Sequence, residues 1–314
     1  MKVTNRTNLP KPLVDLAEEL VNNHPVFENN RFSVTELLKS EQQIVLQRRM
    51  AEEIEMDVQD TFALWEGTAI HKLMEDTFPD EDYITEERSE VEISPNLFIS
   101  GGFDCLKKDS WELIDYKNTK IPAINDALAG KDDKWRFQLY FYALLIERKY
   151  GKRPEKGTII AMAKDFSRVK ASTQAGYPQE PVQPIVYDLM DNETATEVFA
   201  FYKDKAESVY KVLANNEEPS PCTFGDMWCD ENWAIIKKGG SRAIPGGVFD
   251  NPNDAYNHWC TLPDRANLRI WHRVKEPTNC RYYCSCRDFC KQWQSIKNND
   301  MSISEDVTDK IIPF

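Results

Sequence analysis

The chain has no long apolar run. Its longest such stretches, Ala143–Ile146 and Ile159–Ala163 among them, fall far short of the roughly 20 apolar residues that a membrane-spanning helix needs. The opening residues, MKVTNRTNLPKPL, lack the apolar segment of a secretory signal. A soluble, non-secreted, cytoplasmic protein with no membrane partner is therefore expected. An excess of basic residues is missing too: 39 Lys and Arg face 52 Asp and Glu, for a formal net charge of −13. That excludes a protein held to nucleic acid by a uniformly basic surface, while leaving room for a local basic groove. Cysteine is nearly absent from the first two thirds, where Cys105 stands alone. The rest of the eight crowd between Cys222 and Cys290. In a non-secreted chain that distribution argues against a disulfide scaffold and for metal ligation or buried thiols.

What is present can build a core: 41% hydrophobic and 11% aromatic residues are not the composition of a disordered chain. A length of 314 residues fits one large domain or a domain with an appendage. The cysteine boundary sets the expected division: a body over 1–215, a cysteine-rich module over 216–297 and a tail over 298–314.

Pro12 opens the first expected helix, with Leu13, Leu16, Ala17, Leu20 and Val21 at helical spacing and His24-Pro25 as its stop. Ser33 and Glu36 form a capping-box pair that opens a second helix, SVTELLKSEQQIVLQRR. The acids Glu52, Glu53, Glu55, Asp57 and Asp60 then read as a solvated helix face. A third helix is expected over 62–78, with Phe62, Trp65, Ala69, Leu73 and Phe78 as one buried stripe. The period then changes. Residues 83–93 alternate as a strand, and 97–106 with 111–119 read as a hairpin across the turn Lys107–Ser110. A helix over 133–150, strands over 157–163 and 184–190, and a helix over 192–214 complete the body. Helix, three strands, helix and strand make a mixed α/β core. There is no internal repeat and no low-complexity tract.

Four residues carry the chemistry. His71 sits on the third helix. Asp104 follows two glycines on a strand, where the backbone can approach a neighbour closely. Asp115 and Lys117 stand two apart on the next strand and so share a face. The hairpin can bring both carboxylates together. Two carboxylates suit a hard divalent ion such as Mg²⁺ or Mn²⁺, and an imidazole suits Mn²⁺ better. A lysine beside such a centre can orient or deprotonate an attacking water and stabilise charge in phosphodiester hydrolysis. Taken singly, each signal is ordinary: a strand-borne Asp-x-Lys is commonly a surface ion pair, and a lone helical histidine commonly structural.

Their order is more specific. GTAIHKLMED, then GGFD, then IDYK, then Gln138 and Tyr142 on a helix resembles the RecB-like branch of the PD-(D/E)XK nuclease superfamily, close to its phage-type and CRISPR-associated exonucleases. The resemblance implies an α/β nuclease core, a mixed sheet flanked by helices. It implies that His71, Asp104, Asp115 and the backbone carbonyl of Tyr116 hold Mg²⁺ or Mn²⁺, and that Asp104, Asp115 and Lys117 are catalytic. Gln138 and Tyr142, one helical turn apart, would line the groove and bind the nucleic-acid strand. Their plainer reading is packing of the helix on the sheet. Many members carry Glu where this chain has Asp115, and Asp is also permitted there.

The run NCRYYCSCRDFCKQW holds Cys280, Cys284, Cys286 and Cys290. Thiolates at this density select zinc or an iron–sulfur cluster. By resemblance, Cys280, Cys284 and Cys290 would join Cys222 around a [4Fe–4S] cluster, with Cys286 as an alternate and Cys229 and Cys260 as further choices for the fourth ligand. A zinc site built from the local run alone is the other reading. Such a site would clip the C-terminus onto the body. Arg148, Lys149, Lys152, Arg153 and Lys156, with Lys164, Arg168 and Lys170 beyond, are expected to form a basic groove. Arg and Lys of the module interleave with Trp271, Tyr282, Tyr283 and Trp293, which suits single-stranded nucleic acid. The resemblance implies a DNA exonuclease of phage or mobile-element recombination, replication or repair, in the host cytoplasm if phage-encoded. Its partners would be DNA with a free end or a single-stranded segment and a helicase or recombination protein. A structure- or site-specific endonuclease and a non-catalytic DNA- or helicase-binding subunit are the alternatives.

Overall fold

The computed structural model describes residues 1–22, 28–131, 133–298 and 304–311. Two compact units emerge, one of Met1–Val45 and Ala51–Pro219, the other of Leu46–Met50 and Ser220–Phe314. Among the described residues no helix is long and apolar enough to cross a membrane.

The first unit contains, in chain order, β1 (Lys2–Thr4), α1 (Lys11–Asn22), β2 (Arg31–Ser33), α2 (Val34–Leu37), α3 (Glu41–Arg49), β3 (Glu55–Asp57), α4 (Phe62–Thr77) and β4 (Tyr83–Ser94). It continues through β5 (Leu97–Lys107), β6 (Glu112–Thr119), α5 (Ile121–Leu128), α6 (Asp133–Tyr150), β7 (Lys156–Ala163), α7 (Arg168–Thr173), β8 (Val182–Asp188) and α8 (Asn192–Ala214). The last turn of α3 groups with the second unit. A mixed sheet runs β2-β5-β6-β7-β8, with β4 also paired to β5. The β2–β5 and β6–β7 pairs are parallel and the others antiparallel. Helix α6 packs on this sheet and is buried almost all round, from Phe137 to Ala143 and again at Leu145 and Ile146. Its outer side meets α8 through Phe141 against Tyr202, ring centroids 4.5 Å apart. Asp191 caps α8 by accepting from the backbone N–H groups of Glu193 and Thr194. This is the mixed α/β core, sheet flanked by helices, that the strand and helix periods lead one to expect.

Several expectations change. The Ser33–Glu36 capping box forms, but α2 lasts one turn. Ser40 Oγ accepts the Gln43 N–H and begins α3 as a separate helix. The acids after residue 51 are no solvated helix face: β3 pairs in parallel with β1, and Asp57 is buried. It takes hydrogen bonds from Arg6 N, Arg6 Nε, Thr4 Oγ1 and Gln59 N. Helix α4 buries no residue fully, and the expected stripe fails at Phe62, 55% exposed, and Leu73, 64% exposed. Amphipathic spacing marks a helix, but α4 meets mainly β6 and the turn at Val58–Thr61, so among the described residues part of its apolar face is left uncovered. Helix α1 ends at Asn22, and the His24-Pro25 stop lies outside the described residues.

The second unit has a four-stranded antiparallel sheet in the order β10 (Ala243–Phe249), β9 (Glu231–Lys237), β11 (Leu268–Val274) and β12 (Glu305–Asp306). Helix α9 (Pro252–Thr261) packs on it around Ile235, Ala255 and Ile270. A π-turn at Asn279–Tyr283 and a 3₁₀ turn at Arg287–Phe289 lead into α10 (Lys291–Asn298). Part of the expected tail is structured: Asp306 and Glu305 pair with Trp271 and His272, and Val307 is buried.

Candidate metal centre and active site

The sheet places the acids by coming apart. Strand β5 is paired along its length with β4. On its other edge β2 covers Phe98–Ser100 and β6 covers Cys105–Lys107. Continuing the Cys105↔Ile114 register by one residue would set Asp104 opposite Asp115, but the ladder stops there. The backbone N–H of Tyr116, left without a ladder partner on that edge, donates instead to Asp104 Oδ2 at 2.8 Å. A side chain thus does the work of a missing main-chain acceptor, and Asp104 is locked in orientation beside the next strand.

His71, from α4, reaches the same point. Its Nδ1 is 3.5 Å from Asp104 Oδ1 and 3.1 Å from Glu86 Oε1. Among the described residues, donor atoms of His71, Glu86 and Asp104 all lie within 4.8 Å of one another. Glu86 escaped the sequence reading. Its neighbours pair as Thr85↔Cys105 and Glu87↔Phe103, so Glu86 on β4 falls opposite Asp104 on β5, with its backbone turned left-handed at φ 47°. That conformation is uncommon for a residue with a long side chain.

Electrostatics tie the group together. Burial, and then the neighbouring Asp115, push the Asp104 carboxyl up to about 7. The hydrogen bond to Glu86 raises His71 above the ordinary imidazole range against the opposing effect of burial, and the charges of Asp104, Glu86 and Asp115 add to it. Crowded acids of this kind ionise together only beside a cation.

Asp115 lies deeper and is wholly buried. Lys117 Nζ is 2.7 Å from its Oδ2, an ion-pair distance, yet that oxygen receives no hydrogen bond of acceptable geometry. Its other oxygen, Oδ1, accepts from Gln138 Nε2 at 3.2 Å, and the same amide donates to Tyr142 Oη at 3.0 Å. Gln138 and Tyr142 are each only 4% exposed. They stand behind Asp115 as a buried support for its carboxylate. Gly101 makes room for this: a Cβ there would stand 2.7 Å from Tyr142 Cε1 and 2.9 Å from Leu145 Cδ1.

The donor set fits a divalent ion. It offers carboxylates and an imidazole, it leaves a buried carboxylate oxygen with an ion-pair partner but no well-formed hydrogen bond, and it holds one acid far above its ordinary range. The expected basic groove is less open. Lys149 pairs with Glu87, Lys156 with Glu112 at 2.9 Å, and Lys164 with Glu66 at 3.1 Å.

In the second unit no cysteine is in a disulfide. Cys280 and Cys290 are buried in a small core with Met227, Trp293 and Ile296, and Cys222 and Cys229 pack against it. Burial, and next the charges of Cys284, Cys222, Cys290 and Cys229, push the Cys280 thiol up to about 12. Cys284 and Cys286 sulfurs are 3.5 Å apart. Cys222, distant in sequence, is tethered by a reciprocal pair: its N–H donates to Gln292 Oε1, and Gln292 Nε2 donates to its carbonyl, both at 2.9 Å. Trp293 N–H donates to Cys290 Sγ at 3.3 Å. Cys260 is exposed on α9, beside Tyr256, outside this cluster. Of the interleaved aromatics, Trp293 is core, whereas Tyr282 and Tyr283 are exposed.

No curated protein matches the chain. A solved structure described as "Crystal structure of SSO0001" is similar to it over 68% of this chain and 90% of that one, at 16% identity and a TM-score of 0.46. A likeness that loose says nothing about the site. The sequence pattern of the PD-(D/E)XK nuclease superfamily matches residues 15–229, a stretch that holds every residue of the candidate centre in the first unit. Members of that superfamily are usually metal-dependent nucleases acting on nucleic acid. By the extent of that match, the chain belongs to the PD-(D/E)XK nuclease superfamily.

Proposed function

We propose that the chain is a metal-dependent DNA exonuclease that hydrolyses phosphodiester bonds with Mg²⁺ or Mn²⁺, in recombination, replication or repair of a phage or mobile element. One observation carries the catalytic reading: the buried Asp115 Oδ2 lies 2.7 Å from Lys117 Nζ yet accepts no hydrogen bond of acceptable geometry, and the Asp115 charge acts on both His71 and Asp104. His71, Asp104, Asp115 and the Tyr116 carbonyl would hold the ion, and Glu86 is added to that set. Such an ion, when bound, polarises a phosphoryl oxygen and helps generate the nucleophile. Lys117 orients the attacking water and stabilises the negative charge that grows on the phosphoryl oxygens. Gln138 fixes the carboxylate plane of Asp115, and Tyr142 fixes Gln138. These two are positioning residues.

The cysteine cluster is read as a structural [4Fe–4S] or Zn²⁺ site held by Cys222, Cys280, Cys284 and Cys290, with Cys286 as the alternate. Support comes from the donor chemistry: soft thiols gathered in an apolar pocket, one of them accepting a backbone N–H. DNA with a free end or single-stranded segment is the substrate, and a helicase or recombination protein the partner.

The test compares linear and closed-circular DNA, single- and double-stranded, with Mg²⁺ or Mn²⁺. Wild-type and Lys117→Ala proteins are purified without oxygen. Loss of linear DNA alone, abolished by the substitution, is the expected result. Cutting of closed circles would make the enzyme an endonuclease instead. No cleavage by protein with its metal intact would leave a DNA- or helicase-binding subunit.

A further inference from the structure

Aromatic side chains of the second unit are mostly spent on packing. Trp293 is buried, and Trp233 and Trp259 pack against the core beneath α9. Three others are not so used: Trp228, Tyr282 and Tyr283 are 50%, 57% and 60% exposed. They nevertheless form a group. The rings of Trp228 and Tyr283 lie 5.3 Å apart at 48°, and those of Tyr282 and Tyr283 lie 6.4 Å apart. Arg281 sits over the Tyr282 ring, 5.2 Å from its centre.

The group is held on a braced frame. Trp228 belongs to the turn after Cys222, and the tyrosines to the π-turn that begins at Asn279. Asn279 joins the two, its N–H donating to the Met227 carbonyl at 3.1 Å and its Nδ2 to the Asp226 carbonyl at 2.7 Å. Met227 and Cys280 are buried beneath. Trp228 itself has φ 53°, a left-handed conformation that a bulky residue adopts only where its surroundings impose it. The fold thus accepts backbone strain while leaving a tryptophan in water.

Charge selects the partner. The chain as a whole is strongly acidic, yet residues 276–297 carry Arg281, Arg287, Lys291 and Lys297 against Glu276 and Asp288. Arg281 pairs with Glu276, so the local positive excess comes from Arg287, Lys291 and Lys297 against Asp288, and ring faces beside such an excess suit a polyanion with unpaired bases. Bases in a duplex are already stacked, whereas those of a single strand can lie on exposed rings while the phosphates meet Arg and Lys.

We propose that Trp228, Tyr282 and Tyr283 form a stacking platform for the bases of single-stranded DNA. The proposal rests on the reading that the chain acts on DNA, and it deepens that reading by naming where an unpaired segment is gripped.

The experiment measures binding of the full-length Lys117→Ala protein, metal-replete and with Ca²⁺ in place of Mg²⁺, to a labelled oligothymidylate of about 20 nucleotides and to a duplex of equal length. Adding Trp228→Ala and Tyr283→Ala should weaken the single strand at least about tenfold and leave the duplex within about twofold. Phe at both positions should restore single-strand binding, because the ring faces return. Unchanged oligothymidylate affinity in the Ala protein overturns the platform. So does an equal loss on duplex, or a Phe protein as weak as the Ala one. Cleavage of linear DNA by wild-type protein separates the two readings. Cleavage with no platform effect sinks the platform alone. A platform effect with no cleavage sinks the exonuclease alone.

Discussion

Gln138 donates to Asp115 Oδ1 at 3.2 Å from within the helix–sheet core, so the orientation of a buried carboxylate depends on an amide that solvent barely reaches. Supporting hydrogen bonds of this kind set how well a carboxylate presents its other oxygen to a metal. Replacing Gln138 with Leu should therefore raise the Mg²⁺ or Mn²⁺ concentration needed for half-maximal cleavage by about 10- to 100-fold. Tyr142→Phe keeps the ring and the Gln138–Asp115 bond and should change it far less. Metal titrations of both variants decide the point. Equal metal dependence in Gln138→Leu and wild type would remove Asp115 from the ligand set.

Glu86 makes a prediction about His71. The hydrogen bond between them is the largest influence raising the imidazole, with burial working the other way. In metal-free Glu86→Gln protein the His71 titration midpoint should fall, because the charged partner is gone and burial remains. The chain has four histidines, few enough to follow individually by NMR. A midpoint that stays where it was would mean that the two side chains do not meet in solution.

The places of His71, Asp104, Asp115 and Lys117 on one helix and two strands are legible because each lies in a short segment whose period is plain, and the hairpin between Asp104 and Asp115 is local. That of Glu86 is not, because its position depends on register. The hairpin closes with Ser94 opposite Leu97, which, carried back unbroken, would set Glu87 across from Asp104. The irregularity between Glu92 and Ser94 shifts the pairing by one residue and brings Glu86 there instead. Helix α4 shows a different limit. Its apolar spacing identifies a helix, but whether Phe62 and Leu73 are covered depends on what packs above them. Gln138 shows a similar limit: one helical turn from Tyr142 gives a shared face, and only the fold shows that the face points inward to Asp115. In the second unit the spacing of cysteines stands out in the sequence, while the sheet joins the β9–β10 hairpin to β11 and β12, which follow only after long connections.

Gly101 should not tolerate a side chain. An added Cβ would lie 2.7 Å from the Tyr142 ring and 2.9 Å from the Leu145 Cδ1 methyl, both packed in the core. Gly101→Ala should destabilise the first unit by about 1–3 kcal/mol, as overpacked cores do. Because the displaced ring is the one that Gln138 holds, metal dependence should worsen as well. Gly102→Ala, with Arg88 Nη2 at 3.7 Å as its nearest neighbour, should cost little by comparison. Denaturant unfolding of the two variants measures the contrast, and equal midpoints would contradict the packing.

Asp57 gives the acid limit of the fold. Hydrogen bonds, led by that from the Arg6 backbone, hold its carboxyl down at about 2, whereas an unfolded chain protonates such a group near about 4. A depressed value means that the folded state binds the proton less readily. The stabilisation is therefore complete above about pH 4 and disappears as the pH falls toward about 2. Asp57→Asn should lose about 1–3 kcal/mol at neutral pH, because Arg6 and the turn at Val58–Thr61 lose a charged acceptor. Between about pH 4 and pH 2 its unfolding free energy should then fall less steeply than that of wild type. Parallel slopes in that window would mean that Asp57 titrates normally.

Cys222 and Cys260 separate the cysteine reading from mere proximity in sequence. Cys222 is tied to Gln292 and packs beside Cys280 and Cys290, whereas Cys260 is exposed on α9. If the cluster holds a metal, Cys222→Ser should reduce bound iron or zinc and lower the thermal midpoint of the second unit, since such sites contribute directly to folding. Cys260→Ser should match wild type in both. Metal analysis of protein purified without oxygen, together with its visible spectrum, distinguishes an iron–sulfur cluster from zinc. Wild-type protein that carries neither metal and keeps the same midpoint in the presence of a chelator would mean that the thiols serve as core. In that case Cys222→Ser should cost no more than the substitution of any half-buried cysteine.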